Sequence, residues 1–302
     1  MNWIKQGLIY NYQGEFSWAK HSFTKPTPFL RKNGDIRVFG GLRDENGISR
    51  IGYVDLDSSN LKNVLRVSKQ PLIDIGKAGT FDDNGVVPTC AFNFNNKVYL
   101  YYEGYQLAHK VKFLSYTGLA ISEDDGETFE KYRETPVTER IDEELLIRAI
   151  HCVIPEENGL KVWYTAGSKF EKIGESFHPS YNIRYITSPD GLNFPEPGKV
   201  ILDIEGDEYR VGKPFVFVKD NVYHMYYSVA TKHAPYRINS AFSKDGIEFI
   251  RNKGEVICIS ESGWDSQMIC YPYVININGE WILFYNGNYF GQTGFGYATL
   301  GH

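Results

Sequence analysis

The chain has 302 residues, with 32 Lys and Arg against 37 Asp and Glu and a formal net charge of −5 at pH 7. That length suits one large β domain or two ordinary ones. The mild acidic balance argues against a general nucleic-acid binder, and no stretch approaches the roughly 18 apolar residues of a membrane span. Four cysteines (Cys90, Cys152, Cys258, Cys270) show neither metal-site spacing nor the density of a disulfide scaffold. Met1 to Tyr10 lacks the apolar core of a signal peptide, so the expected location is the cytoplasm.

Trp3 to Tyr10 reads as a strand. One pattern then runs through the chain five times, with a period of roughly sixty residues. Its anchors are Phe29, Phe92, Val153, Phe215 and Tyr273, each expected to open a short strand. An aromatic-rich strand follows each anchor: Ile36 to Gly40, Val98 to Tyr102, Lys161 to Tyr164, Val222 to Tyr227 and Trp281 to Tyr285. A third strand comes next, around Tyr53, Leu119, Tyr185, Ala241 and Tyr297.

Four repeats add a fourth apolar segment, starting near Val64, Phe129, Phe194 and Phe249. The fifth has none before His302, and residues 1 to 10 match the missing piece. A repeat of short strands points to a propeller blade, and aromatics at 15% suit strands and sheet cores. The expected fold is therefore an all-β five-bladed β-propeller. Its ring would be closed by the N-terminal strand pairing into the last blade, which removes exposed strand edges. Even spacing leaves no linker, so residues 1–302 read as a single domain.

The turns Ser122-Glu123-Asp124-Asp125-Gly126-Glu127-Thr128-Phe129, Ser188-Pro189-Asp190-Gly191-Leu192-Asn193-Phe194 and Ser243-Lys244-Asp245-Gly246-Ile247-Glu248-Phe249 are near copies. Asp-Gly makes a tight turn whose glycine tolerates positive φ, so these are structural pieces. The S-x-D-G-x-x-F pattern resembles turns of the five-bladed propeller glycosidases, glycoside hydrolase families 43, 32, 62, 68 and 130. It is distantly similar to the Asp-box of the six-bladed sialidases. The resemblance covers the whole chain, is architectural, and selects no single family.

In a propeller the innermost strands line a central channel, so residues just before the anchors are candidate pocket residues. They are His21 and Lys25 in the first repeat, Asp82, Asp83 and Cys90 in the second, and Arg148 and His151 in the third. The fourth supplies Asp207, Arg210 and Lys213; the fifth supplies Asp265, Gln267 and Tyr271. Polar residues are odd choices for a purely structural inner strand. Glycoside cleavage needs an acid for the leaving oxygen and a second carboxylate as base or nucleophile. The resembled enzymes carry such acids on inner strands, which makes Asp83, Glu103 and Asp265 the catalytic candidates here. The structural alternatives are loop caps for Asp82 and Asp83, a solvated loop carboxylate for Glu103, and a turn residue for Asp265.

Family 43 enzymes carry an Asp in the first blade and a Glu acid in the third. This chain has Ser22-Phe23-Thr24-Lys25-Pro26-Thr27-Pro28 and Ile147-Arg148-Ala149-Ile150-His151-Cys152 there, without an acid. Their mechanism does not carry over residue by residue. Lys25, Arg43, Arg148, Arg210 and Lys213 converge instead, joined by His21 and His151, and guanidinium groups suit phosphate and carboxylate. Family 130 phosphorylases resemble this, since they hold phosphate with Arg, Lys and His beside a carboxylic acid. The plain alternative is pairing of each cation with a neighbouring acid.

Tyr105, Tyr164, Phe170, Tyr227, Tyr271, Tyr289 and Phe290 supply aromatic faces for sugar rings. Asn286 and Asn288 offer amides for hydroxyls. His178 comes from a long third-repeat loop, and the insertion Tyr105 to Tyr116 reads as a lid or a dimer contact. No P-loop, Rossmann, zinc or nucleophile-elbow motif appears, so no cofactor is expected and a channel calcium ion is not signalled. The leading expectation is a glycoside hydrolase or phosphorylase-like enzyme in carbohydrate metabolism, acting on a carbohydrate or sugar phosphate in the central pocket. Asp83 would be its acid or base, with Glu103 or Asp265 as partner. The alternative is a non-hydrolytic carbohydrate-binding or sugar-modifying protein of surface-polysaccharide metabolism. No nucleic-acid or membrane partner is expected, and the oligomeric state stays open.

Overall fold

The computed structural model of the protein describes residues 1–301. The described chain is nearly all β, with one helical turn at Asn288–Gly291. β1 (Trp3–Tyr10) is followed by antiparallel meanders. The first is β2 (His21–Leu30), β3 (Ile36–Arg43), β4 (Ser49–Asp57) and β5 (Asn60–Val67). The second is β6 (Val86–Phe94), β7 (Lys97–Leu107), β8 (Phe113–Ser122) and β9 (Glu130–Lys131). The third is β10 (Ile147–Glu156), β11 (Gly159–Ile173), β12 (Ser176–Ser188) and β13 (Lys199–Leu202). The fourth is β14 (Glu208–Lys219), β15 (Val222–Thr231), β16 (Arg237–Ser243) and β17 (Ile250–Glu255). The last is β18 (Cys270–Ile277), β19 (Glu280–Asn286) and β20 (Phe295–Leu300).

β1 pairs antiparallel with β20, Trp3 facing Leu300 and Tyr10 facing Phe295. The Trp3 indole N–H donates to the Tyr226 hydroxyl at 2.8 Å, so the strand is held by a side chain as well as by its ladder. The leading strands lie against one another in order: β2 on β6, β6 on β10, β10 on β14, β14 on β18, and β18 on β2.

The apolar cores sit between neighbouring meanders. Phe39 and Ile51 pack with Val86 and Leu100, and Tyr101 and Leu119 pack with Ile150 and Val162. Each such side chain is worth about 1.5–3 kcal/mol when fully buried. The Asp-Gly turns add a directional lock. Gly126, Gly191 and Gly246 have φ of 82°, 74° and 78°, which only glycine adopts freely. Their carbonyls accept hydrogen bonds from Arg37, from the Tyr101 hydroxyl at 2.6 Å and from the Trp163 indole at 2.9 Å. In each case a second-strand side chain grips the turn of the next meander.

Two expectations need correction. Phe29, Phe92, Val153, Phe215 and Tyr273 do not open their strands. Pairing begins several residues earlier, because the polar stretch before each anchor still joins the ladder through a bulge. The third-repeat loop that carries His178 is a regular hairpin, with β11 and β12 paired out to Ile173 and Ser176. No helix among the described residues is long and apolar enough to cross a membrane.

Candidate functional site

All five leading strands break register at or just before their anchors, and β2 and β14 break a second time nearer their starts. Between Thr24 and Thr27, Pro88 and Cys90, Ile150 and Cys152, Gly212 and Phe215, and Cys270 and Tyr273, each spends one residue more than its partner. The residues thrown out of the ladder include Lys25, Thr89, His151, Lys213 and Tyr271. A bulge of this kind re-aims a side chain and is common beside active sites. Lys25, Lys213 and Tyr271 sit at φ of 57°, 50° and 59°, and each is followed by a proline, which needs no ladder donor at a bulge.

The bulged amides are not left empty. Lys25 N–H donates to Asn286 Oδ1 at 2.7 Å, Lys213 N–H to Thr165 Oγ1 at 3.0 Å and Tyr271 N–H to Ser228 Oγ at 2.9 Å. Every acceptor belongs to the neighbouring meander, so the strained residues are fixed by tertiary contacts.

The bulges open into a cavity of about 500 Å³. Its floor holds Lys25, His151 and Lys213, each 5% exposed or less. Lys25 Nζ is ion-paired with Glu103 Oε2, and Ser115 Oγ donates to Glu103 Oε1. Lys213 Nζ donates to the Thr89 carbonyl at 3.2 Å. Burial first, and the Lys25 charge second, push the Lys213 ammonium down to about 7. Burial and the same two lysines hold His151 well below the usual imidazole range, and its Nδ1 has no partner.

Higher up, Tyr105, Tyr181, Tyr236, Tyr271 and Phe290 form aromatic walls. Tyr236 lies 5.9 Å from both Tyr271 and Phe290. Arg210 reaches in beside them, with Nη2 at 3.1 Å from His178 Nδ1 and its guanidinium 5.0 Å from the Tyr209 ring. Arg43 and Lys112 stand at the rim. Five lining side chains are therefore cationic (Lys25, Arg43, Lys112, Arg210, Lys213) and one, Glu103, is anionic. Of the five, only Lys25 has an ion-pair partner among the described residues.

Of the residues expected from the sequence, Lys25, Arg43, Glu103, Tyr105, His151, Arg210, Lys213, Tyr271 and Phe290 line this cavity, and His178 touches it through Arg210. The others are held elsewhere. Asp83 Oδ2 accepts from Gly79 N–H at 2.8 Å in its own turn, and Asp82 takes the Lys131 ammonium at 2.6 Å. Asp265 is tied to Lys5 at 2.7 Å and to the Tyr285 hydroxyl at 3.0 Å. Arg148 and Tyr164 belong to a buried network around Glu144, where Arg148 also donates to three backbone carbonyls. His21 bonds Ser22, Asp207 faces solvent, and Tyr227 is core. Asn286 braces the Lys25 bulge. Asn288 Oδ1 accepts from Gln267 N–H and Met268 N–H, which ties down the loop of exposed Gln267.

Sequence reasoning missed Tyr181, Tyr236, Thr165 and Ser115. The first two sit on the extended hairpin and beside β16, where no repeat anchor marks them. The recurring proline after Lys25, Lys213 and Tyr271 was the available signal for the bulges. The Tyr105 to Tyr116 insertion contributes Tyr105, Leu107, Lys112 and Phe113 to the wall. Phe113 packs 5.5 Å from Phe170 of β11.

No protein-family model matches the chain. It is 32% identical over 302 residues to "Uncharacterized protein Rv1502" of Mycobacterium tuberculosis (strain ATCC 25618 / H37Rv), covering 99% of both proteins. Among solved structures, one described as "Glycoside hydrolase" superposes with a TM-score of 0.76 at 19% identity, covering 98% of this chain and 90% of that one. A thermostable family-43 glycoside hydrolase gives 0.66 at 15% identity, with 92% and 88% covered. The alpha-L-arabinofuranosidase from Lactobacillus brevis gives 0.66 at 10%, with 92% and 89% covered. The nearly all-β fold is thus that of the propeller glycoside hydrolases, with no single glycosidase family selected. On its sequence, the chain belongs to the family of the Mycobacterium tuberculosis protein Rv1502.

Proposed function

We propose that the meanders are the five blades of a closed propeller, and that its central cavity binds and acts on a carbohydrate carrying a phosphate or other anionic group. The β1–β20 pairing and the cyclic contact of the leading strands support the ring. The observation that carries the ligand is the cavity's balance of ionisable groups: five basic side chains against one carboxylate among the described residues. Cations left without counter-charges in a partly desolvated site are costly, and an anion relieves that cost.

The single carboxylate narrows the chemistry. Two-carboxylate hydrolysis needs a second acid, and Glu103 is alone in the cavity. Making or breaking a glycosyl–phosphate bond needs only one. In the breaking direction Glu103 takes a proton from water as its oxygen attacks the anomeric carbon. The carbon–oxygen bond to phosphate breaks, and the phosphate leaves with the electron pair into the field of Lys25 and Lys213. In phosphorolysis a phosphate oxygen attacks the anomeric carbon, the carbon–oxygen bond to the second sugar breaks, and Glu103, entering the step protonated, gives its proton to that leaving oxygen. Electrostatic stabilisation of this kind is commonly the largest catalytic contribution.

The second reading is a non-hydrolytic carbohydrate-binding or sugar-modifying protein, and one observation favours it. Both Glu103 oxygens are already engaged, by Lys25 and by Ser115. Incubation with a panel of glycosyl phosphates, and with oligosaccharides plus inorganic phosphate, separates the two. Phosphate release or sugar-phosphate formation that Glu103→Gln abolishes supports the enzyme. Binding without turnover in wild type supports the second reading, and no binding of any anionic sugar sinks both.

A further inference from the structure

The cavity's cations fall into two groups at two depths. Lys25 and Lys213 lie at the floor, 5% and 3% exposed, beside the buried core residues Cys90 and Tyr273. Arg210 and Lys112 lie higher, Lys112 being exposed at the rim. Their neighbours differ: Arg210 Nη2 is 3.1 Å from His178 Nδ1, whereas Lys213 Nζ lies 5.3 Å from the Tyr273 ring and Lys25 Nζ 5.6 Å from the Tyr271 ring. Arg210 and Lys213 share β14 and are three residues apart, which separates their backbones by up to about 10 Å along a strand. Arg210 is surrounded by phenol rings, with no carboxylate partner among the described residues. Lys213 has only a carbonyl. Arg210 thus lacks a counter-charge, and at the floor Glu103 offsets only one of the two lysines.

Between the two groups stands half-buried Tyr271, its ring 5.6 Å from Lys25 Nζ and 5.9 Å from the buried ring of Tyr236, which Arg210 overlies; it is an aromatic face of the kind that takes the apolar side of a sugar ring. Building on the anionic-carbohydrate reading above, we infer that the cavity is a two-anion site whose ligand is a sugar charged at both ends. One anionic group sits at the floor on Lys213 and Lys25, the other beneath the rim on Arg210 and Lys112, with the ring against Tyr271. Such a ligand is a doubly phosphorylated sugar, or a sugar phosphate that also bears a carboxylate.

Equilibrium binding of inorganic phosphate to the full chain tests this without any choice of sugar. Two phosphates per chain are expected for wild type. One is expected for Lys213→Gln and one for Arg210→Gln, with the retained phosphate keeping its affinity within about twofold. The double variant should bind none. Lys213→Met serves as a second floor variant, and circular dichroism confirms that each protein is folded. A hexose bisphosphate should displace both phosphates with a stoichiometry of one, at least tenfold more tightly than a hexose monophosphate. A single phosphate on wild type, or loss of both phosphates in either single variant, overturns the two-site arrangement while leaving the anionic-ligand reading intact. Displacement of only one phosphate by the bisphosphate overturns the bridging ligand. No phosphate on wild type overturns both this inference and the reading on which it rests.

Discussion

The backbone N–H of Lys25, in the first meander, donates to the Oδ1 of Asn286, in the last, at 2.7 Å. The amide of Asn286 donates in turn to the Phe23 carbonyl at 2.6 Å and to the Gly294 carbonyl at 3.0 Å. One buried side chain therefore joins the two ends of the fold and sets the aim of a floor lysine. Asn286→Leu would leave the Lys25 amide unpaired where water does not reach. A loss of about 1–3 kcal/mol in stability is expected by chemical denaturation, together with weaker phosphate binding. Ser228→Ala, at the Tyr271 bulge, should cost stability and loosen the Tyr271 ring that lies 5.6 Å from Lys25 Nζ.

Lys213 predicts a pH dependence with a definite sign. Its ammonium drops from 10.5 to about 7 in the folded protein. Between about pH 7 and 10.5 the unfolded chain holds a proton that the folded chain has released. This group's contribution to stability therefore rises with pH across that window, and below pH 7 the full cost of the buried charge is present. A bound anion favours the charged form. Phosphate affinity should therefore fall as pH rises above about 7, approaching tenfold per pH unit, with proton uptake visible in titrations run in two buffers. Lys213→Met should flatten both slopes. A wild-type affinity that stays constant from pH 7 to 9 would count against the placement of an anion on Lys213.

Arg148 separates a structural cation from a ligand-binding one. It is fully buried, ion-paired to Glu144 and bonded to the carbonyls of Glu139, Phe194 and Glu196. Arg148→Met leaves Glu144 with Arg184 and the Tyr164 hydroxyl but unpairs its other oxygen and three backbone carbonyls, and a loss of about 1–3 kcal/mol is expected in denaturant titrations. Phosphate affinity, measured at a temperature where the variant is still folded, should stay within about twofold of wild type.

Asp265 tests whether a sequence-read catalytic acid is a structural tie. Its Oδ2 holds Lys5 of β1 and the hydroxyl of Tyr285 of β19. Asp265→Asn should lower the melting temperature and leave ligand turnover within about twofold of wild type. Removing residues 1–10 should do far more. It uncovers the β20 edge and deletes the Trp3–Tyr226 bond, so aggregation by light scattering is expected on heating.

The strand repeats were legible because each rests on local facts. Tyr99 to Tyr102 or Leu283 to Tyr285 are apolar and aromatic enough to be buried whatever they pack against. Ser243-Lys244-Asp245-Gly246 closes its own turn, with the Ser243 hydroxyl accepting from the amides of Asp245 and Gly246. The convergence of Lys25, His151, Arg210 and Lys213 was readable for a related reason: all four fall within five residues before an anchor, on the strand that leads its repeat.

What the chain alone did not reveal is which polar residues face the axis and which face a partner. Arg148 stands at the same repeat position as Arg210, and Asp83 and Asp265 precede their anchors as the cavity residues do, yet each is bound up by a residue supplied from its own turn, from β1 or from Glu144. A one-residue bulge turns a side chain from one face of a strand to the other. Whether the bulge holds depends on an acceptor such as Asn286, Thr165 or Ser228, remote in sequence from the amide it binds. The linear order of residues thus determined the repeated strands, their turns and the height at which charge gathers. Side-chain direction was decided only in three dimensions, because it follows from hydrogen bonds and ion pairs between segments that meet only when the meanders pack.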